Sequence, residues 1–474
     1  MLDTLRADAL RMYGGGLRLK NLERIGRNGV IYENAISPGT YTGSSHASMF
    51  QGMRVKSIKS LMKDKMAHYN KHIDPLLRKS RLIDSGTTTL AKHMSYLGYK
   101  TALFSNNPLV TEYTGIAEGF SNLYYTENVF IGQPRRGRKK PFVNTVLGMI
   151  DNDVLRNRLI ELSYVLARPI PRSRLDRLYL GLRTKLNKRL SKELKYYDLD
   201  LGATQTNSLV SEYLKREKDG EKFMYINYME AHEGYPTNLI TNDYVEQEKW
   251  FYLAGMIDEA PVSIIKDAFN RRLPYLDRQL GRMVSTLRRH GALDDAVLVI
   301  GSDHGQGFME HKQMYHNMFP YNELVHVPLI TARYVDGKQV REGERVHNNV
   351  STTRLYDSML DIAYGKSDVI NGSMRRDDYV FADHTGISEV WDTYLLHLFS
   401  KRSQFARSIY GAKLHYNTFS TAVYRGRYKL ISYAGNRIAP ELYDMAEDPM
   451  ETENILGEKR AIALELLRAD RKHA

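Results

Sequence analysis

Five consecutive apolar residues, Ala296–Ile300, run into Gly301 and are followed at once by Ser302, Asp303, His304 and Gly305. An unbroken apolar run of that length reads as a strand covered on both faces, which places it inside a layered α/β structure. The rest of the chain keeps the same rhythm. Short β-rich runs (Val30–Ile36, Lys100–Phe104 and FMYINYM from Phe223) alternate with helical stretches at Leu19–Gly29, Thr88–Leu97 and around Ser263–His290, the pattern of an α/β fold. From about Asp377 the rhythm changes: YVFAD, STAVYRG and YKLISYA predict a small antiparallel sheet, and Glu458–Lys472 a closing helix. The expected organisation is an α/β domain over 1–375, carrying an insert at about 130–199, and a small C-terminal subdomain over 376–474.

At 474 residues the chain is long enough for two or three domains at roughly 100 to 200 residues each. No apolar run approaches the ~18 residues of a membrane span, and MLDTLRADAL has none of the zones of a signal peptide. A cytoplasmic location is therefore the default expectation. The absence of cysteine removes disulfides, thiolate metal sites and cysteine nucleophiles, so His, Asp, Glu, Ser, Thr and Lys must carry any chemistry.

The formal charge is +13, and Arg135–Lys195, with 17 basic and 5 acidic side chains, holds +12 of it. Such concentration points to one localised contact with an anionic partner rather than an evenly basic nucleic-acid surface. Within that segment Leu175, Leu178, Leu182, Leu186, Leu190 and Leu194 recur three or four apart between basic residues, the spacing of a basic amphipathic helix or helix pair. It could lie on an anionic membrane surface, line the approach to a polyanionic glycan, or simply pack by its stripe. Nucleic-acid binding is not expected, because no recognised module and no interleaved aromatics accompany the charges.

Ligands in open α/β sheets gather outside the carboxyl ends of strands, where Asp303 and His304 can point two metal ligands into one crevice. Asp3 also reads as a strand-end residue, followed by Arg6 and Asp8. Only Met1 and Leu2 precede it, whereas strands usually take ~5 or 6 residues; the reading at this stage is a sequence that begins late and an Asp3 that is poorly anchored. Thr42 opens the helix-like stretch TGSSHAS after the loop SPGTY. A hydroxyl there sits in the positive end of the backbone dipole, where an attacking oxygen and an anionic substrate are both stabilised. Since a threonine hydroxyl is weak at neutral pH, it needs a metal or base, and Asp3, Asp303 and His304 could hold that metal. The structural alternatives are that Asp303 and Thr42 cap helices and that His304 bonds a carbonyl.

The order LDTLRAD, TGSSHASMFQG, GYKTALFSNN, INYMEAH, GSDHG, RYKLI and ELYDMAEDPMETENI resembles the sulfatase branch of the alkaline phosphatase superfamily across nearly the whole chain except the basic insert. The resemblance implies a sandwich with a mixed, largely parallel central sheet and a small C-terminal α+β domain. It further implies one divalent ion held by Asp3, Asp303, His304 and Thr42, with Thr42 at the nucleophile position. His232 falls where the family contacts the substrate or leaving group, and His316 near its substrate-binding lysine; either would protonate the leaving alcohol. Arg6, Asn106 and His46 become the expected substrate contacts, Arg6 being as readily a structural ion-pair partner, with Asn106 and Asn107 standing where many members have Gly-Lys.

The departures matter. Formylglycine sulfatases use Cys or Ser in C-x-P-x-R, whereas here Thr42 stands at the nucleophile, Ser44 at the proline and His46 at the arginine. Threonine would not give that aldehyde, and members with threonine resemble phosphoesterases and transferases whose hydroxyl attacks phosphorus directly. Thr4 replaces a frequent second Asp, which favours Mn or Zn over Ca. The expected function is metal-dependent hydrolysis of a sulfate or phosphate ester by attack of Thr42. The alternatives are a phosphoglycol- or phosphoethanolamine-type transferase and a non-catalytic member that binds an anionic glycan or lipid headgroup.

Overall fold

A computed structural model describes residues 1–58, 61, 81–126, 199–233, 260–340, 343–367, 378–386, 411–412, 415–435 and 438–473. They belong to one unit, Met1–Val129 with Leu199–Ala474. The expected basic insert over 130–199 lies, but for its last residue, outside the described residues. In chain order the main strands are β1 (Val30–Ile36), β2 (Lys100–Ser105), β3 (Asn122–Tyr125), β4 (Lys222–Ile226), β5 (Asp295–Gly301), β6 (His326–Val335) and β7 (Glu344–Ser351). They are followed by β8 (Val380–His384), β9 (Ser420–Arg425), β10 (Tyr428–Tyr433) and β11 (Glu441–Asp444). The main helices are α1 (Lys20–Arg27), α2 (Thr42–Gln51), α3 (Leu90–Tyr96), α4 (Ala203–Arg216), α5 (Ala260–Arg289), α6 (Leu355–Ala363) and α7 (Arg460–Lys472).

β1 pairs parallel with β7 and antiparallel with β6, and β6 pairs antiparallel with β5. A second group, β3–β2–β4, is wholly parallel. Leu2 ties the two together: it forms a parallel bridge with Tyr228 just beyond β4, while its N–H donates to the Gly301 carbonyl at the end of β5 at 2.8 Å. The strand expected over FMYINYM therefore stops at Ile226, and the ladder continues through Tyr228 and Leu2.

Helices cover both faces. On one, Leu22 and Ile25 of α1, Val210 and Tyr213 of α4, and Ile265, Phe269, Leu276, Leu280 and Leu287 of α5 form one core. The four- and seven-residue spacing of those α5 side chains keeps a single stripe inward over 30 residues, straight through Pro274, so the helical pattern around 263–290 is one helix. On the other face, Ala47 and Phe50 of α2 and Ala91 of α3 pack with Leu103, while α6 closes over β1 and β6 through Leu355, Met359 and Ile362. The result is the alkaline-phosphatase-like α/β sandwich with a mixed central sheet.

β8–β9–β10–β11 form a separate, all-antiparallel sheet. Adjacent residues point to opposite faces: Val423 and Leu430 meet Ala463 and Leu466 of α7, while Ala422 and Ile431 join Ile36, Phe319 and Leu324.

Candidate active site

Each candidate side chain follows a strand of the central layer. Asp3 comes after the Leu2 bridge, Thr42 after β1, Asn107 after β2, Asn227 after β4, and Asp303 and His304 after β5. This is the carboxyl edge where backbone ends and ligands meet in open α/β sheets.

Thr42 is the first residue of α2, with Tyr41 at the cap position and no side-chain cap bond there. Its hydroxyl is thus not consumed as a cap. Thr42 Oγ1 lies 3.3 Å from His304 Nε2 and receives a 3.4 Å hydrogen bond from the Asn107 amide, which also donates to Asp3 Oδ2 at 2.6 Å. Asp3, Thr42 and the Asp303–His304 pair, from three distant places in the sequence, therefore come together in one buried cluster.

The chemistry of this cluster is that of a cation cradle. Asp3 Oδ1 and Asp303 Oδ2 are buried without a hydrogen-bond partner among the described residues, an arrangement that is costly for an ionised oxygen unless a positive charge faces it. The His304 Nδ1–H donates to the Gly305 carbonyl at 2.9 Å, which leaves the Nε2 lone pair directed at the carboxylates, 3.5 Å from Asp303 Oδ2 and 4.0 Å from Asp3 Oδ1. Burial, with His316 nearby, pushes the His304 imidazole down to about 3, so it is neutral at physiological pH. Burial and Asp303 together raise Asp3. Two mutually repelling carboxylates and a neutral imidazole fit a divalent ion.

Gly305 makes this geometry possible. A Cβ there would lie 2.1 Å from the Glu323 carbonyl oxygen, and its N–H donates to the Leu324 carbonyl at 2.7 Å. The loop therefore turns tightly against a neighbouring backbone and holds the His304 ring inward.

His232 and His316 sit at the more open rim, with side chains 20% and 15% exposed. Glu233 lies between them, one oxygen 3.2 Å from His232 Nδ1 and the other 3.1 Å from His316 Nδ1. Their rings stand 5.1 Å apart, and His316 stacks on His304 at 4.9 Å. The two imidazoles hold the Glu233 carboxyl well below its ordinary range despite its burial. Tyr315 and Asn317 both adopt left-handed backbone (φ 63° and 61°), so the turn carrying His316 is strained on either side.

Three expected substrate contacts are placed differently. The Arg6 guanidinium is 3% exposed and fully engaged, by Asp8 at 2.6 and 2.8 Å, Glu310 at 2.9 Å and the Gln306 carbonyl at 2.9 Å. It braces the loop behind the site. His46 is completely buried: its Nδ1–H donates to the Thr42 carbonyl at 2.9 Å, and its Nε2 accepts from the Tyr225 hydroxyl at 2.5 Å. It supports the first turn of α2. Asn106 donates to the Leu201 carbonyl at 3.1 Å, and it is Asn107 that faces Asp3 and Thr42. Asn227 (3.5 Å from Asp3 Oδ2) and Glu233 are the site residues that sequence reasoning did not select, and Asn107 was noted beside Asn106 without being chosen as a contact. The signal for Asn227 was its position immediately beyond β4, and for Asn107 its position two residues beyond β2.

Among the described residues, two further groups converge closely enough to share a cation: His232–Glu233–His316 and His311–Glu323–Glu451. In the latter Glu451 already has a counter-ion, because Lys429 Nζ lies 2.5 Å from it with both side chains fully buried.

Comparison with known proteins is consistent with this architecture. The sulfatase family model matches residues 1–366. The chain belongs to the sulfatase family. Arylsulfatase K of Xenopus laevis is 28% identical over 193 residues, covering 38% of this chain and 32% of that one; for the human arylsulfatase K the figures are 27% over 205 residues, 42% and 35%. The match thus spans about a third of the length of these relatives. Among solved structures, the phosphonate monoester hydrolase of Agrobacterium radiobacter superposes with a TM-score of 0.61 at 16% identity, covering 100% of this chain and 95% of that one. A 2-O GAG sulfatase superposes at 0.57, also at 16% identity, with 100% and 89% covered. At these identities the superpositions establish the sulfatase fold.

Proposed function

We propose that this sulfatase-family chain is a metal-dependent hydrolase of sulfate or phosphate esters whose nucleophile is the Thr42 hydroxyl. The observation that carries the reading is the pair of buried carboxylate oxygens without donors, Asp3 Oδ1 and Asp303 Oδ2, facing His304 Nε2 with Thr42 Oγ1 only 3.3 Å from that nitrogen. Asp3, Asp303 and His304 would hold a divalent cation, Mn, Zn or Ca. When bound, it supplies charge stabilisation for the anionic ester and lowers the pKa of a nearby hydroxyl.

The remaining work belongs to the chain itself. Asn107 orients Asp3 and Thr42 with one amide, and the opening N–H groups of α2 favour the negative charge that the ester brings. The Thr42 hydroxyl gives its proton to solvent water, and its Oγ1 attacks sulfur or phosphorus as the ester oxygen departs. His232 or His316 delivers a proton to that oxygen, an exchange imidazole manages near neutral pH. Glu233 holds both rings in register. Water then releases the sulfuryl or phosphoryl group. A formylglycine route does not apply to a threonine. The basic segment 135–195 would gather a polyanionic ester, a glycan or a lipid headgroup, near the protein.

The test is a panel of aryl sulfates, phosphate monoesters, phosphodiesters and phosphonate monoesters, assayed with Mn, Zn or Ca and again after chelation. The proposal expects turnover of at least one class that chelation abolishes and metal restores. Turnover indifferent to chelation, or none on any class with any of the three ions, would contradict it.

A further inference from the structure

Helices α4 and α5 both pass close to the candidate active site and leave it side by side. The Leu201 carbonyl, just ahead of α4, accepts from the Asn106 amide at 3.1 Å, and Arg272 of α5 donates to the His232 carbonyl at 3.0 Å. Beyond that point Thr204 meets Tyr275 at 3.1 Å, Asn207 meets Gln279 at 3.1 Å and Ser211 meets His290 at 3.0 Å. The paired positions rise together, so the helices run in the same direction and share a polar seam. Helix α1 closes on the other flank of α5, where Gly281 admits it: a Cβ there would lie 2.6 Å from Asn21 Oδ1.

The three helices frame a groove of about 640 Å³. Arg278, Arg282, Ser285 and Arg289 line it from α5, spaced four, three and four apart, and so share one solvent-facing side of that helix. Thr204, Ser208 and Ser211 keep the same kind of spacing on α4, and Arg24 of α1 brings the guanidinium groups in the lining to four. No carboxylate lines the groove; Asp277 is buried beneath it, where its oxygens accept from the Asn21 and Leu22 N–H groups. Among the described residues none of the four arginines pairs with an acidic side chain. Like charges gathered without a counter-charge hold a positive local potential.

We infer that this groove binds a sulfated glycan chain outside the catalytic pocket. The inference rests on the ester-hydrolase reading in one respect: the groove then holds a part of a polymeric substrate that is not being cut. Guanidinium forks match the oxygens of a sulfate group, and the interleaved hydroxyls and amides serve the sugar hydroxyls. No apolar or aromatic side chain lines the groove, so it offers nothing to insert into a membrane and no platform on which bases stack. The neighbouring Tyr275 ring is already covered by the Arg278 guanidinium, 5.5 Å from its centroid. From Arg278 to Arg289 the stripe is about 16 Å long, a span for several charges of a linear polymer rather than for one free anion. Its near end lies about 9 Å along α5 from Arg272, which holds the backbone of His232, so a chain in the groove leads back to the rim of the site.

Fluorescence titration with a sulfated octasaccharide from heparin tests this on the full chain and on the triple variant Arg278→Gln, Arg282→Gln, Arg289→Gln. Segment 135–195 is the same in both, so a difference belongs to the groove. The variant should bind roughly tenfold more weakly, with a shallower salt dependence, and should turn over a small aryl ester as the wild type does. Equal affinity in the two chains overturns the proposal, and so does equally tight binding of the desulfated octasaccharide by the wild type. Single-stranded DNA or phosphatidylserine vesicles that bind as tightly as the octasaccharide, and lose as much in the variant, would overturn the assignment to a glycan. Weakened octasaccharide binding in the variant, with no ester turned over by either chain, would uphold the groove and remove the hydrolase reading. Should the triple variant fail to fold, Arg282→Glu alone should weaken binding roughly threefold, and equal affinity there again overturns the proposal.

Discussion

Thr4 stands next to the cradle with φ at 58°, in the left-handed region. For a β-branched residue that conformation costs about 1–2 kcal/mol, and it persists because the Thr4 N–H donates to Asp303 Oδ1 at 3.2 Å. Asparagine tolerates this region better, so Thr4→Asn should raise the unfolding free energy by about 1 kcal/mol in urea titration; a lowered midpoint would mean that Thr4 makes contacts worth more than its strain. Glu233 offers a second prediction. Glu233→Gln keeps its volume but weakens its grip on two imidazoles, and should lower kcat by about ten- to a hundredfold with a smaller change in KM; a change confined to KM would remove the role given to Glu233. At this scale the sequence revealed what depends on strand ends. Asp303 and His304 could be read because an apolar run stops just before them. For Arg6 the sequence left substrate contact and structural ion pair equally open, since its partner Glu310 lies 304 residues away, and the choice between Asn106 and Asn107 turns on which neighbour faces inward, a parity that composition does not carry.

At the level of elements, the small antiparallel sheet is pinned to the rest by a buried polar group. Lys429 on β10 pairs with Glu451 and donates to Asn322 Oδ1 at 3.2 Å, while His311 lies 3.1 Å from Glu323 and donates from Nε2 to the Glu451 carbonyl at 3.0 Å. Lys429→Met would strand a buried carboxylate and should cost about 3–5 kcal/mol, measurable as a shifted denaturation midpoint. Burial alone would push His311 down, but Glu323 and the Glu451 carbonyl raise it to about 9 from 6.5. Its folded form thus binds the proton more tightly than the unfolded chain does. The stabilisation is complete below pH 6.5 and is lost as pH rises through about 9. Unfolding curves at both ends of that window should show the loss in the wild type and a flatter profile in His311→Gln; parallel profiles would contradict it. Of the strands and helices, β1, β2, β4, β5, β8–β10, α1, α2, α3, α5 and α7 were readable from period and apolar runs, whereas β3, β6, β7, β11, α4 and α6 were not. What escaped was whether 263–290 forms one helix or several, because Pro274 signals a break that the continuous inward stripe of α5 overrides.

For the whole molecule, the cradle links metal binding to folding. Its two unpaired carboxylates repel each other without a cation, so Mn, Zn or Ca at a hundred times its Kd should stabilise the protein by about 2.7 kcal/mol. Thermal unfolding should show this as a raised Tm that Asp303→Asn abolishes; an equal shift in the variant would place the ion elsewhere. An α/β fold and a separate C-terminal sheet followed from patterning and the sandwich from the family resemblance, whereas the bracing of Arg6 by Glu310 depends on loops meeting in space. The most direct measurement is acid-quenched turnover followed by peptide mass analysis, alongside the rates of Thr42→Ser and Thr42→Ala. Attack by the Thr42 oxygen predicts a sulfuryl or phosphoryl group on the Thr42 peptide during turnover, activity retained in Thr42→Ser and lost in Thr42→Ala. Wild-type turnover by Thr42→Ala, with no modified Thr42 peptide, would contradict the account.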